Sequence, residues 1–219
     1  FDGTDESLVV IRDWPAVPFT VSERGDEIVA ETESLRVRVI KSTALVAFER
    51  LDGEPLIQES ARTLRPAMVA DETVFHAKQQ WRISDQEGLY GLGQHQDGVM
   101  NYRGHDVTLV QTNTVAVNPF LVSTKGYGLL WDNTSKTIFS DKESGASFWS
   151  EVADRIDYYV IAGDTIDDVI AGYREATGQA PMLGKWAYGY WQSKERYRTS
   201  DELMSVVREY RERQIPIDN

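Results

Sequence analysis

No cysteine occurs in the 219 residues, which removes disulfides, thiolate metal sites and cysteine nucleophiles together. Histidine is nearly as scarce. His76, His95 and His105 are too scattered for a usual zinc spacing, so no metal site and no other cofactor is implied. Basic residues are outnumbered, 23 Lys and Arg against 35 Asp and Glu, for a formal charge of −12. That balance argues against nucleic acid and anionic membranes as partners, since both need a basic face. No apolar run approaches the ~18 residues that a membrane-spanning helix requires. Internal repeats and low-complexity segments are missing, and so is an initiating methionine. The chain opens on Phe1, as expected of a processed or trimmed product, and together with the acidic, cysteine-free composition this favours a periplasmic or secreted location over a cytoplasmic one.

What is present is enough apolar material, 41% of residues, to bury a sizeable core. From Glu6 to about Phe148 short alternating runs are separated by Gly, Asp and Pro: "SLVVIRD", "AVPFTVSERGDEIVA", "SLRVRVIKS", "TALVAFERLDGEPLI", "FHAKQQWRIS", "DVTLVQ", "YGLLWDN" and "KTIFS". Period-two alternation predicts antiparallel strands in two packed sheets. Asp52-Gly53 predicts a two-residue hairpin loop. Near Glu151 the pattern changes. Residues 156–163 read as a buried strand, followed by a helix with Thr165 and Asp168 at capping-box spacing, Val169, Ile170 and Tyr173 on one face, and Gly178 as its stop.

"KWAYGYWQS", residues 185–193, is too continuously aromatic for a half-exposed strand and predicts one buried on both faces. The clearest helix follows. Thr199 and Glu202 form a capping box, Leu203, Val206, Val207 and Tyr210 share a face, and Arg211 and Arg213 sit in the last turn. "QIPIDN" then starts another apolar run, so strand, helix and strand onset make a single β/α unit.

The stretch "GLGQHQDGVMNYRG", 91–104, has neither helical nor strand periodicity. As a phosphate cradle it fails, lacking a Lys plus Ser/Thr and a following helix N-terminus. Two readings remain. Gly91, Gly93 and Gly98 suit positive-φ bends, while Gln94, Gln96, Asn101 and Arg103 are planar groups that hydrogen-bond sugar hydroxyls without titrating.

"GLYGLGQHQ", "NPFLVSTKGYGLLWDN", "GQAPMLGKWAYGYWQSKERY" and "RQIPIDN" resemble, in order, successive blocks of glycoside hydrolase family 31, the third block being especially similar to its α-xylosidase branch. The resemblance covers about Gly88 to Asn219. It implies a mainly β chain: an N-terminal galactose-mutarotase-like β-sandwich with linking helix over 1–180, then the first β/α unit of a truncated (β/α)8 barrel over 181–219. It further implies retaining hydrolysis releasing terminal α-linked xylose from xyloglucan-type oligosaccharides.

On the same resemblance "QTNTVAVNP" looks like the loop that the N-terminal domain lends to the sugar pocket. Asn113, where relatives often carry an aspartate, is then the substrate-contact candidate, with Gln94 and His95 supporting the loop. Trp191 and Gln192, at the end of the first barrel strand, would wall the pocket.

Retaining hydrolysis needs two carboxylates about 5 Å apart, and in the resembling family both are aspartates on later barrel strands. A complete barrel takes about 250 residues, so no catalytic residue is assigned here. Asp218 lies at a strand entry and reads as structural. Asp85, Asp97, Asp106, Glu195 and Asp201 read as solvated or dipole-facing. The partners implied are an oligosaccharide and the remainder of the barrel, and the sequence leaves room for a homo-oligomer. Two alternatives stand beside this reading: an α-glucosidase of the same family, and a freestanding carbohydrate-binding β-sandwich whose Trp and Tyr rings stack on sugars.

Overall fold

The computed structural model describes residues 7–219. Phe1, on which the expectation of a trimmed terminus rests, and Glu6 lie outside the described residues. The chain divides into two compact units, one through Gly178 and one over Gln179–Asn219.

The first unit is a β-sandwich. In chain order its strands are β1 (Thr20–Arg24), β2 (Glu27–Glu31), β3 (Arg36–Ile40), β4 (Val46–Glu49), β5 (Pro55–Val69), β6 (Glu72–Arg82), β7 (Leu89–Gln94), β8 (Asp106–Leu109), β9 (Ala116–Ser123), β10 (Tyr127–Trp131), β11 (Thr137–Lys142), β12 (Gly145–Ala153) and β13 (Tyr158–Ala162). Nine of them form one antiparallel sheet in the order β1-β2-β3-β4-β5-β6-β12-β11-β8, and four form the other, β13-β10-β9-β7.

Alternation explains the packing. Leu121 and Leu129 point between the sheets, where they meet Trp81, Trp131, Phe139 and Phe148 in the main core. Phe120, Val122 and Leu130 point the other way and are covered by helix α1 (Ile166–Thr177) through Val169 and Tyr173. Phe120–Val122 of β9 and all of β10 are therefore covered on both faces, which is why these stretches are apolar without alternation. Trp131 stacks on Phe148 at 5.6 Å, and Trp81 meets Trp131 edge-on at 6.2 Å.

Several sequence expectations need correction. "SLVVIRD" is not a strand: Ile11 and Arg12 donate their amides to Ala176 O, at the end of α1, at 3.0 and 3.2 Å. The Asp52-Gly53 hairpin forms, but its loop has three residues, not two. Arg50 N donates to Glu54 O (2.8 Å), Gly53 N to Arg50 O (3.0 Å), and Gly53 takes a φ of +93°, a turn followed by a glycine bulge. The β5–β6 hairpin extends well past "FHAKQQWRIS". Its turn, Ala70-Asp71, has φ of +49° and +65° without any glycine, so its sequence lacks the usual mark. Strand β13 is shorter than 156–163 and half-buried, because it lies at the edge of its sheet.

Helix α1 carries both halves of its capping box: the Thr165 hydroxyl accepts from Asp168 N, and the Asp168 carboxylate accepts from Thr165 N. The bonds from Thr165 hold the Asp168 carboxyl below its ordinary value. The cap's contribution should thus be full above the usual carboxylate value of about 4 and lost as pH falls through the lower folded value. A pH titration of helical signal following the Thr165 and Asp168 amides by NMR checks this, with Asp168→Asn flattening the transition.

In the second unit "KWAYGYWQS" is not a buried strand. Lys185–Tyr188 is a single 3₁₀ turn, and Trp186, Tyr188, Tyr190 and Trp191 are exposed. Within Gln179–Asn219 this segment pairs with one other, at Asn219. Asn219 N donates to Tyr190 O (3.2 Å) and Gln192 N to Asn219 O (2.7 Å), the bonding pattern of a parallel bridge around Trp191. Between the bridged segments runs α2 (Ser200–Glu212), so the helix of the expected β/α unit forms, flanked by two bridged segments that are not strands. Its cap differs from the expected box. Thr199 accepts from Glu202 N, but the Glu202 carboxylate bonds Arg198 N and Lys194 instead of returning to Thr199.

Candidate functional site

In the sandwich the glycine-rich stretch begins as a strand irregularity. Strands β7 and β9 shift register between Gly91 and Gly93, and Leu92, at φ +63°, drops its side chain wholly into the core. Both glycines have φ of +101°. A Cβ on Gly91 would stand 2.3 Å from Phe120 O, and one on Gly93 2.0 Å from Ala116 O. The glycines are there for backbone approach.

Two of the four planar polar groups are structural as well. Asn101 Oδ1 accepts from Leu89 N (3.0 Å) and Arg103 N (3.2 Å), tying the loop's far end back to the start of β7. Arg103 donates to Ser84 O (2.7 Å) and pairs with the buried Asp141 (2.9 Å), which also accepts from Gly104 N. Of the four side chains of the expected polar rim, Asn101 thus has its oxygen, and Arg103 its Nε and one Nη, engaged within the fold. Gln94 and Gln96 are exposed.

Gln94 pairs through its backbone with Ala116, beside the 111–116 loop. The His95 imidazole lies edge-on to Tyr102 with Nε2 2.9 Å from Leu92 O; a carbonyl only accepts, so that nitrogen carries the proton. Across the strand pair, Thr112 and Val115 form a one-residue bridge with Asn113 and Thr114 exposed at its apex. Gln111 braces this turn from inside. Its Nε2 donates to Val115 O (2.6 Å) and Thr112 O (3.3 Å), and its Oε1 accepts from Val117 N (3.0 Å). Sequence reasoning missed Gln111; the available signal was an amide flanking a Thr/Asn turn, a common backbone brace. The Asn113 amide is left facing solvent.

In the second unit Trp191 is half exposed, with its indole N–H on Ala187 O (3.2 Å) and its ring 6.1 Å from Trp186. Gln192 is surrounded by tyrosines. Its Oε1 accepts from Tyr190 (2.8 Å) and Tyr210 (2.6 Å), and its Nε2 donates to Tyr197 (3.3 Å) and Ser193 O (3.4 Å). The Tyr190 hydroxyl beside it raises the Tyr210 hydroxyl above its ordinary value. Tyr210 had read only as part of an apolar helix face; a tyrosine there still needs a partner for its hydroxyl. Asp218 accepts from Tyr190 N at 3.0 Å, a backbone duty. Among the described residues no three His, Asp or Glu side chains gather as a metal set.

Comparison with known proteins follows this division. Residues 3–140 match the glycosyl hydrolase 31 N-terminal galactose mutarotase-like domain, and residues 180–219 match the glycosyl hydrolases family 31 TIM-barrel domain. An α-xylosidase of Saccharolobus solfataricus is 42% identical over 224 residues, covering 98% of this chain and 30% of that protein. Alpha-glucosidase 2 of Bacillus thermoamyloliquefaciens is 26% identical, covering 97% of this chain and 28% of its own length. Among solved structures, a GH31 α-xylosidase from a soil metagenome, complexed with xylose, superposes with a TM-score of 0.85 at 30% identity, over 98% of this chain and 34% of that one. The chain thus spans about a third of the length of these relatives. By the match of its sandwich and of its first barrel unit, it belongs to glycoside hydrolase family 31.

Proposed function

We propose that this chain is the N-terminal part of a retaining glycoside hydrolase that releases terminal α-linked xylose from xyloglucan-type oligosaccharides. The observation that carries the reading is the 42% identity to an α-xylosidase along nearly the whole chain. In this reading 1–180 is the sandwich with its linking helix and 181–219 opens the catalytic barrel. The nucleophile and the acid/base, two carboxylates about 5 Å apart, come from later barrel strands. The chain's own share is recognition. Asn113, at the apex of a turn that Gln111 keeps rigid, offers one amide donor pair and one acceptor to sugar hydroxyls. Gln94 and His95 keep the adjoining loop in place, and Trp191 offers a half-exposed aromatic face to a sugar ring.

An α-glucosidase is the second reading, supported by the α-glucosidase relative aligned over 97% of the chain. The two sugars differ by one hydroxymethyl group, and a pocket without room for it discriminates by about 10- to 200-fold. Aryl α-xyloside and aryl α-glucoside hydrolysed by the whole protein should differ in kcat/KM by a factor in that range, xyloside ahead, with α-xylose as the first-formed anomer. Preference for the glucoside would replace the first reading with the second, and an inverted anomer would remove the retaining mechanism.

A further inference from the structure

We infer, resting on the family-31 reading above, that Gln192 with the hydroxyls of Tyr190, Tyr197 and Tyr210 is a positioning knot: it fixes the loop over 193–198 and turns Trp191, not Gln192, toward the sugar.

An amide oxygen has two lone pairs, and both on Gln192 are taken, by Tyr190 and by Tyr210. Its nitrogen donates to Tyr197 and to Ser193 O. A side chain so fully engaged has no donor or acceptor to offer a hydroxyl of the substrate. What it does instead is join three pieces of chain: the strand end through Tyr190, the following loop through Tyr197, and α2 through Tyr210. The two tyrosine rings at its flanks lie 6.0 Å apart, and their hydroxyls are 3.3 Å from one another. The loop's other side is closed by the Lys194–Glu202 ion pair and by Arg198 N on Glu202 Oε2 at 2.8 Å.

Parity then assigns the faces. In an extended segment residues two apart share a face and the one between them points the opposite way. Tyr190 and Gln192 both meet Tyr210 of α2, so theirs is the face toward the helix. The parallel bridge to Asn219 holds this register. In a (β/α) barrel the face away from the helices lines the interior, and sites are built at the C-terminal ends of strands. Trp191 occupies that face at that end.

The test uses the whole protein that carries this chain, with Gln192→Leu, Gln192→Glu and Tyr210→Phe. Amide hydrogen exchange over 193–198 should accelerate about tenfold or more in Gln192→Leu, with α1 unchanged, and by less in Tyr210→Phe, which keeps the fold safest. Gln192→Glu keeps both acceptor positions and should restore most of the protection. On aryl α-xyloside, Gln192→Leu should raise KM about fivefold with a smaller change in kcat, as for lost ground-state placement of the sugar. Unchanged exchange in both Gln192→Leu and Tyr210→Phe would overturn the knot. Faster exchange with an unmoved KM would overturn its positioning role. If the parent protein hydrolyses no α-glycoside, the enzymatic reading fails separately, and the exchange comparison still decides whether the knot holds the loop.

Discussion

Gly93→Ala is expected to destabilise the sandwich by about 4 kcal/mol, lowering its melting temperature by roughly 10 °C. Two costs combine. At φ +101° an L side chain is strained, and the new methyl would stand 2.0 Å from Ala116 O and 2.8 Å from Asn118 N, both backbone atoms of the paired strand β9. Neither can retreat unless β7 and β9 part, which would also lift Leu92 out of the core. Gly98 in the same stretch supplies the control. It too has positive φ, +71°, but nothing lies within 4 Å of its would-be Cβ. Gly98→Ala should therefore cost about 1 kcal/mol, the conformational part alone. Equal losses for the two variants would show that close approach to β9 is not what the first glycine provides.

The second large effect is expected at Glu87, a carboxylate that is 4% exposed. Its Oε2 accepts from Ser123 Oγ (2.7 Å) and Tyr127 OH (2.8 Å), and its Oε1 from Ser84 N (2.8 Å). Ser123 and Tyr127 are completely enclosed, so Glu87→Ala leaves two buried hydroxyls and an amide without an acceptor. At about 1–3 kcal/mol per orphaned buried donor, softened by relaxation, the loss should be about 3 to 4 kcal/mol in chemical denaturation. Tyr127→Phe removes one donor and leaves the carboxylate two others, for about 1 kcal/mol. The double variant should lose less than the sum, since the hydroxyl stranded by Glu87→Ala is gone.

Tyr127 also sets an alkaline limit. Burial first, then the charge of Glu87, pushes its hydroxyl well above its ordinary value. A raised value means the folded state keeps a proton that the unfolded chain releases near pH 10. This contribution is therefore full below about pH 10 and declines as pH rises beyond it. Tyr127→Phe should flatten that alkaline decline.

The parts of the fold legible in the sequence were those set by local periodicity and by caps. The alternating runs gave the sandwich, and Thr165, Asp168 and Gly178 marked α1 to the residue. What escaped was determined at a distance. The Ala70-Asp71 turn uses two non-glycine residues at positive φ, held by the long β5–β6 ladder on either side. "KWAYGYWQS" carries the composition of a buried strand, yet Lys185–Tyr188 is a 3₁₀ turn and the segment's pairing is confined to the bonds with Asn219.

The site divides the same way. Asn113 and Trp191, which only the family resemblance singles out, stand exposed. Asn101 and Arg103 have equally suitable chemistry, but Leu89 N takes up the Asn101 oxygen, and Ser84 O and Asp141 take up part of the Arg103 guanidinium, partners far away in sequence. Residue type names what a side chain is able to bind; only the fold says whether that capacity is already used.

On the function proposed above, this chain contributes recognition to a family-31 hydrolase whose reacting carboxylates lie on later barrel strands. The most direct test is hydrolysis of an aryl α-xyloside by this 219-residue chain beside a version extended through the barrel, at equal molar concentration. No turnover above background is expected of the short chain, and clear turnover of the extended one. Turnover by the short chain at the extended protein's rate would contradict it.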